Sequence, residues 1–184
     1  MAFKWTTPRT WVASEVVTAS MGNEQWRDNS EAVNRFVRKT ADESLNTNIT
    51  VQDDNHLSIA IPQAGTYVVE CIIVASSAAN AAGDIKFGFT FPTGTLHMFG
   101  AGLDTTLASG NEGTFNGRAL NNDTASPTAT AAYGLSTTPT HIRVTVLLIA
   151  TASGTLTLQW AQSASNANNT TVHEGSFMLA RQVA

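Results

Sequence analysis

The residue types that could carry out chemistry are present, but their spacing matches no site that we can recognise. The chain has four histidines that lie far apart in the sequence: His56, His97, His141 and His173. No His-Glu-x-x-His or Cys-x-x-Cys spacing occurs, which argues against a zinc site. No Gly-x-Ser-x-Gly element occurs either, so a serine-hydrolase triad has no recognisable nucleophile turn. We therefore predict no catalytic residues, no cofactor and no metal site, and we do not expect an enzyme.

Two smaller features have simple structural interpretations. Asp53-Asp54-Asn55 could offer oxygens to a calcium ion, but the Asp-x-Asp-x-Asp-Gly pattern is missing, which favours a solvated turn. The single cysteine, Cys71, lies in the apolar run 67–75. A cysteine in such a run is expected to be a small buried hydrophobic residue rather than a reactive thiol.

The composition limits the classes of partner. The chain has 184 residues, enough for one domain with an appendage, and only 13% of them are charged, about half the usual share. A net charge of -4 argues against nucleic-acid binding. No apolar run approaches the ~20 residues of a membrane span, and no signal peptide opens the sequence, so we expect synthesis in a cytoplasm and no membrane insertion.

The character of the chain changes near residue 44. Residues 1–44 hold six of the ten basic residues and six acidic ones, whereas residues 45–184 hold four basic and eight acidic residues. We predict an N-terminal anchor arm and helix over 1–44 and a β-domain over 45–184.

The N-terminal segment carries large apolar side chains that it is too short to bury. Residues 1–17 are predicted to be an extended arm, and residues 18–39 a helix capped by Thr18. The helix has apolar residues and one asparagine at 3–4 spacing: Ala19, Gly22, Trp26, Asn29, Val33 and Phe36. Either an ordinary helix packed on the domain or a short coiled-coil seam would give this spacing. The predicted anchor residues are Trp5, Trp11, Trp26, Val33 and Phe36.

From residue 45 onward the hydrophobic period changes to two, as it does in half-buried strands. Clear examples are 57–61, 87–91 and 155–160, where apolar and small or polar residues alternate. About ten short strands, separated by turns rich in Gly, Asn, Pro and Ser, predict a jelly-roll-like β-sandwich.

Two of the predicted strands, 67–75 and 142–150, are apolar on both faces along much of their length. In a solitary sandwich the outward-facing set would lie in water. We predict that it forms a subunit interface made of Val68, Ile72, Val74, Leu147 and Ile149. The alternative is that the helix over 18–39 covers this face.

The two ends of the chain resemble tailed-bacteriophage virion proteins. The segment Arg9–Asn29 contains Trp-x-x-Ser-Glu-x-Val-Thr-Ala followed by Arg-Asp-Asn, which is similar to the opening of many such proteins. The segments Leu156–Gln162 and Gly175–Arg181 look like their ending. Separately, Pro62-x-x-Gly-x-Tyr67 is similar to the strand entry of C1q and tumour-necrosis-factor jelly rolls, and this resemblance implies a trimer.

The resemblance implies a structural component of a virion, such as a tail fibre, spike, minor tail or capsid decoration protein. Such a protein would be anchored by its arm, assemble as a homo-oligomer, and contact other virion proteins and, through its loops, the host surface. The alternatives are a carbohydrate-binding host-attachment module, using Phe99, Phe115 or Tyr133, and a polysaccharide-degrading tail enzyme.

Overall fold

Four antiparallel strand pairs, each nested inside the next along the chain, organise the computed structural model. The structure describes residues 6, 9–30, 35–78, 83–103, 115–122 and 131–183, with residues 28, 115–122 and 131 described by their backbone. Its strands are β1 Arg35–Arg38, β2 Glu43–Leu45, β3 Gln52–Ile61, β4 Gly65–Ser77, β5 Ile85–Thr90, β6 Gly94–Leu103, β7 Phe115–Asn122, β8 Ala131–Tyr133, β9 Thr140–Ala150, β10 Gly154–Gln162, β11 Thr170–Val172 and β12 Phe177–Gln182.

These four pairs are β1 with β12, β3 with β10, β4 with β9, and β5 with β8. Two further pairs, β2 with β11 and β6 with β7, nest in the same way and belong to the larger sheet. They divide into two sheets. The larger sheet has the order β1-β12-β4-β9-β6-β7, with β2 and β11 attached at one end, and the smaller sheet has the order β3-β10-β5-β8. A long hairpin rolled up so that successive pairs alternate between two sheets is a jelly roll, and the predicted fold class is confirmed.

The inner faces of the two sheets form one core, and the period-two pattern predicted which residues enter it. Side chains at alternate positions are buried along β4 and β9, while their neighbours are more exposed. In β10, Leu156, Leu158 and Trp160 enter the core, but several residues between them are buried as well. The phenyl ring of Phe87 stacks on Tyr133 with 5.1 Å between ring centroids. Cys71 is fully buried, as predicted, and burial raises the pKa of its thiol.

Strand β3 contains a bulge that changes the environment of Asp54. Ser58 lies opposite Thr157 and Asp53 lies opposite Gln159, so four residues of β3 face a single residue of β10. One carboxylate oxygen of Asp54, Oδ1, accepts hydrogen bonds from the backbone N–H groups of His56 and Leu57, at 2.9 Å each. The solvated turn predicted for this segment is therefore wrong for Asp54, which is 3% exposed.

The helix predicted for residues 18–39 is much shorter than expected. Thr18 caps it as predicted, by accepting a hydrogen bond from the Met21 N–H, but α1 covers only Ala19–Gly22 and continues as a π-helical segment, Asn23–Asp28. Residues 35–38 instead form β1, which pairs with β12. The alternating Arg-Phe-Val-Arg sequence suits an edge strand, and this pairing outweighs its modest helix propensity.

Because Phe36 lies on β1, it does not belong to a helical seam with Trp26. Two further predicted anchor residues, Trp5 and Val33, lie outside the described residues. Strands β1 and β2 both pair with strands of the larger sheet.

Among the helices that the structure describes, none has the length and apolar character needed to cross a membrane.

Two truncations distinguish the arm from the sandwich. Deleting residues 1–30 leaves β1 in place and should shift the melting temperature by only a few degrees. Deleting residues 1–40 also removes β1 and Lys39, whose buried carboxylate partners would lose their counter-charge at a cost of about 3–5 kcal/mol. That cost corresponds to a drop of roughly 10 °C. Equal melting temperatures by circular dichroism would contradict the assignment of β1 to the sandwich.

Candidate functional site

The two outer faces of the sandwich differ sharply in chemistry. The outer face of the smaller sheet carries small and polar side chains: Ser58, Ala60, Lys86, Thr90, Thr155 and Gln159. The outer face of the larger sheet carries aromatic and aliphatic ones: Phe36, Val68, Ile72, Val74, Phe99, Leu147, Ile149, Phe177 and Leu179. We call this second set the outer apolar face. One sheet is therefore built to face water, and the other is not.

Strand register places the members of the outer apolar face next to one another. Val68 on β4 lies directly opposite Leu147 on β9, and Phe36 on β1 lies opposite Leu179 on β12. The rings of Phe36 and Phe177 contact each other with 5.6 Å between centroids. Charged side chains, among them Glu70 and Arg143, interrupt the apolar residues, so the face combines apolar patches with fixed charges.

In the single chain these side chains are only partly covered. Leu147 is 38% exposed and Ile149 is 42% exposed, while Val68, Ile72 and Val74 are half-buried by their neighbours in the sheet. The predicted alternative, that the helix over 18–39 covers this face, is wrong: α1 has no buried residue and Leu147 and Ile149 stay exposed. Since none of the described residues seals the face, it is a candidate surface for contact with another molecule.

A second apolar surface lies on the N-terminal arm. The rings of Trp11 and Trp26 are 6.3 Å apart, and the guanidinium group of Arg9 lies 5.1 Å from the centre of the Trp11 ring. The side chain of Gln25 accepts a hydrogen bond from the Arg9 N–H at 3.0 Å, and Asn29 accepts one from Thr6 at 2.8 Å. These contacts fold the arm back on the helical turns.

The two described tryptophans of the N-terminal segment are exposed. Trp11 is 42% exposed and Trp26 is 65% exposed, and the valines beside them, Val12, Val16 and Val17, are also exposed. Tryptophan combines a large apolar surface with few rotatable bonds, which is why it is enriched at the centres of protein interfaces. We call Trp11, Val12, Val16, Val17 and Trp26 the arm patch.

A buried charged cluster, which sequence reasoning missed, joins the arm side of the molecule to the sandwich. The Lys39 ammonium is fully buried and contacts Asp54 Oδ2 at 2.7 Å and Glu43 Oε2 at 2.8 Å. The helix predicted over 18–39 ends at Lys39 and gave no indication of this cluster. The bulge in β3, which has no clear sequence signal, is what turns Asp54 inward to meet it.

The carboxylates of this cluster also approach a histidine. Glu43, Asp54 and His56 each bring one potential ligand atom within 4.8 Å of the others, a spacing that would suit a metal ion. The Lys39 ammonium, however, already contacts both carboxylates and supplies a positive charge there. The cluster is therefore organised around an amine rather than around a metal ion.

The structure also brings together a serine, a histidine and an aspartate in the order of a hydrolase triad. Ser76 Oγ lies 2.8 Å from His173 Nε2, and His173 Nδ1 lies 3.1 Å from Asp42 Oδ2. A hydrogen bond from the backbone N–H of Glu174, and a second from His173, lower the pKa of Asp42. Sequence reasoning missed this row, because its members come from three distant segments.

This row of Ser76, His173 and Asp42 lacks the first hydrogen-bond donor that stabilises the oxyanion in a serine hydrolase. That donor is the backbone N–H of the residue after the serine. Here it belongs to Ser77, and it already donates to the carbonyl oxygen of Ser136 at 2.9 Å. Ser76 also lies within β4, paired with Thr171 of β11, rather than on a sharp turn. We interpret the row as a surface network that ties β4, β11 and the segment before β2 together.

The aromatic residues proposed for glycan binding do not form a common site among the described side chains. Tyr133 is fully buried against Phe87, whereas Phe99 is 52% exposed and belongs to the outer apolar face. The side chain of Phe115 lies outside the described residues.

No protein-family model and no curated protein matches the chain. Among solved structures, the Eiger tumour necrosis factor of S. frugiperda is 11% identical with a TM-score of 0.41, and the match covers 83% of this chain and 92% of that one. The infectious bursal disease virus Gx strain is 14% identical with a TM-score of 0.23, covering 80% and 40%. The VP2 subviral particle of that virus is 12% identical with a TM-score of 0.21, covering 82% and 37%. The jelly-roll assignment follows from the strand order and does not depend on these matches.

Two adjacent leucines on β9 provide a matched test of the outer apolar face. Leu148 is fully buried in the core, so Leu148→Ala should cost about 2–5 kcal/mol of unfolding free energy at any protein concentration. Leu147→Ala should cost about 1 kcal/mol or less in the dilute chain and more in concentrated protein, where the face is covered. Urea unfolding at two widely separated concentrations measures both. A concentration-independent effect of Leu147→Ala would count against a covered face.

Proposed function

We propose that this protein is a structural component of a bacteriophage virion, in which the jelly roll assembles with copies of itself and the N-terminal arm anchors it. Its role is recognition between proteins and involves no catalysis. The observation that carries the proposal is the asymmetry of the sandwich: the outer face of one sheet is polar, whereas that of the other is largely apolar and is only partly covered by the described residues. The resemblance of both chain ends to phage virion proteins supports the particle as its location.

The outer apolar face supports self-assembly on energetic grounds. Leu147 and Ile149 each keep about two fifths of their surface exposed, so covering either one would gain roughly 1 kcal/mol. Phe36 and Phe99, which are 62% and 52% exposed, would gain more because they are larger. Summed over several copies of the face, such gains are large enough to offset part of the cost of association.

Charge supports a protein partner for the same face. Buried ions are costly at an interface, and this chain carries few of them. Those on the outer apolar face include both signs, Glu70 and Arg143, which could pair across copies. The resemblance to C1q and tumour-necrosis-factor jelly rolls implies three copies, and we propose a homotrimer.

The arm patch is the part of the molecule that we propose joins the virion. It combines two exposed tryptophans with exposed valines on a segment that precedes the sandwich. Since the arm patch and the outer apolar face consist of different residues, the protein could bind a different partner through each. The β-domain would then project from the particle, where its loops could touch the host surface.

Charge placed on the outer apolar face should separate the subunits. The double variant Leu147→Glu with Ile149→Glu would bury unpaired carboxylates in an interface, at a cost of several kcal/mol. We expect the wild-type protein to sediment at the mass of three chains and this variant at the mass of one.

The control is Thr155→Glu, on the polar outer face of the smaller sheet, which should keep the wild-type mass. A wild-type protein that sediments as a single chain at high concentration would refute the oligomer, and a loss of assembly in the control would point to general instability.

Truncating the two exposed tryptophans should prevent the protein from joining particles. In the variant Trp11→Ala with Trp26→Ala, we expect incorporation, measured by immunoblotting of purified particles of the phage that encodes the chain, to fall at least about tenfold. The matched control, Thr10→Ala with Asn23→Ala, changes exposed polar residues of the same segment and should incorporate normally. Undiminished incorporation of the tryptophan variant would rule out the arm patch as the anchor.

A further inference from the structure

Lys39 lies in a setting that suits covalent chemistry between side chains. The Lys39 and Asp54 side chains are both fully buried, and the Glu43 side chain is 9% exposed. Lys39 Nζ contacts Asp54 Oδ2 at 2.7 Å and Glu43 Oε2 at 2.8 Å. An amine is thus held against one carboxyl group while a second carboxyl group touches the same nitrogen. This arrangement provides a nucleophile, an electrophile and a group that can accept and return a proton.

We propose that Lys39 and Asp54 condense to form an intramolecular isopeptide bond, with Glu43 as the proton acceptor. The ammonium first transfers one proton to Asp54 Oδ2, which leaves a neutral amine facing a carboxylic acid. The amine lone pair then attacks Cγ of Asp54, so that the Nζ–Cγ bond forms and Oδ1 takes the negative charge. Glu43 accepts a second proton from Nζ and returns it to the Oδ2 hydroxyl. The Cγ–Oδ2 bond breaks, water leaves, and Glu43 ends unchanged.

Hydrogen bonding identifies Asp54, rather than Glu43, as the electrophile. Asp54 Oδ1 accepts backbone N–H bonds from His56 and Leu57, both at 2.9 Å, and Oδ1 is the atom on which negative charge develops during the attack. Two backbone donors at this distance are the arrangement that stabilises such a charge. Glu43 accepts from more distant donors, the Asn55 N–H at 3.2 Å and the Gln52 side chain at 3.4 Å, so it lacks a comparable pair of donors for such a charge.

The environment favours the product over the ion pair. Removing a charged amine and a carboxylate from water carries a large desolvation cost, which a buried ion pair recovers only in part. Condensation converts these two ions into one neutral amide and leaves a single carboxylate on Glu43. The reaction needs no oxidant, metal or second substrate.

The bond would join the two sheets at the point where the arm enters the sandwich. Lys39 directly follows β1 of the larger sheet, and Asp54 lies in β3 of the smaller sheet. A force applied through the arm would then reach a covalent link instead of being resisted only by the four-residue pairing of β1 with β12. The proposal concerns the folded chain itself and does not depend on the virion role.

The test is the intact mass of the full-length wild-type chain, measured under denaturing conditions after purification and again after prolonged incubation. We expect a mass lower than that of the 19.5 kDa sequence by one water molecule. Digestion with trypsin and a glutamate-specific protease should then yield residues 39–43 joined to residues 44–70. A chain of full mass after incubation, or a water loss that maps to other residues, would overturn the proposal.

Variants separate this reaction from other routes to water loss. Glu43→Gln keeps the size of the side chain but cannot accept the proton, so the folded variant should keep its full mass. Asp53→Asn alters the neighbouring exposed carboxylate and should lose water as the wild type does. Persistence of the link in Glu43→Gln would contradict the role of Glu43, and its absence in Asp53→Asn would contradict the assignment to Asp54.

Discussion

The structure depends on a ribbon of two strands, β4 and β9, that is apolar on both sides. Its inner side, with Val69, Cys71 and Val144 fully buried, closes the core against the smaller sheet. Its outer side is also apolar over much of its length, although Glu70 and Arg143 lie among the apolar residues, and Leu147 and Ile149 stay more than a third exposed. A strand whose outer side faces solvent would carry polar residues on that side, as β3 and β10 do. The same ribbon therefore both holds the sandwich together and provides the surface that we propose for assembly.

The buried Lys39 cluster connects the arm to this sandwich. Lys39 follows β1, and its two carboxylate partners come from β2 and β3, so the cluster ties the start of the larger sheet to the smaller one. In a chain with so few charges, three buried ionisable groups in one place are costly unless they satisfy one another. The arm patch precedes this point along the chain. The proposed attachment through the arm patch and the proposed assembly through the outer apolar face thus involve different parts of the chain.

Sequence reasoning predicted the fold class and the inward-facing residues because both follow from local alternation. Leu57, Phe87 and Trp160 are buried where a period of two places them. It failed where a long-range pairing or an irregular backbone decides the outcome. The pairing of Phe36 with Leu179 depends on a strand more than a hundred residues away, and helix-like spacing in 19–36 concealed it. The bulge that turns Asp54 inward, and the approach of Ser76 to His173, likewise have no local pattern.

The central claim is that the outer apolar face is covered in the working protein, and hydroxyl-radical footprinting of the wild-type chain measures this directly. Phe99 is 52% exposed in the single chain and Phe89 is 1% exposed, so the two rings differ strongly in intrinsic accessibility. Our account predicts that in concentrated protein Phe99, Leu147 and Ile149 are modified almost as slowly as their buried counterparts. Modification of Phe99 at the rate of an exposed ring, with Phe89 protected, would show that the face is bare and would contradict the account.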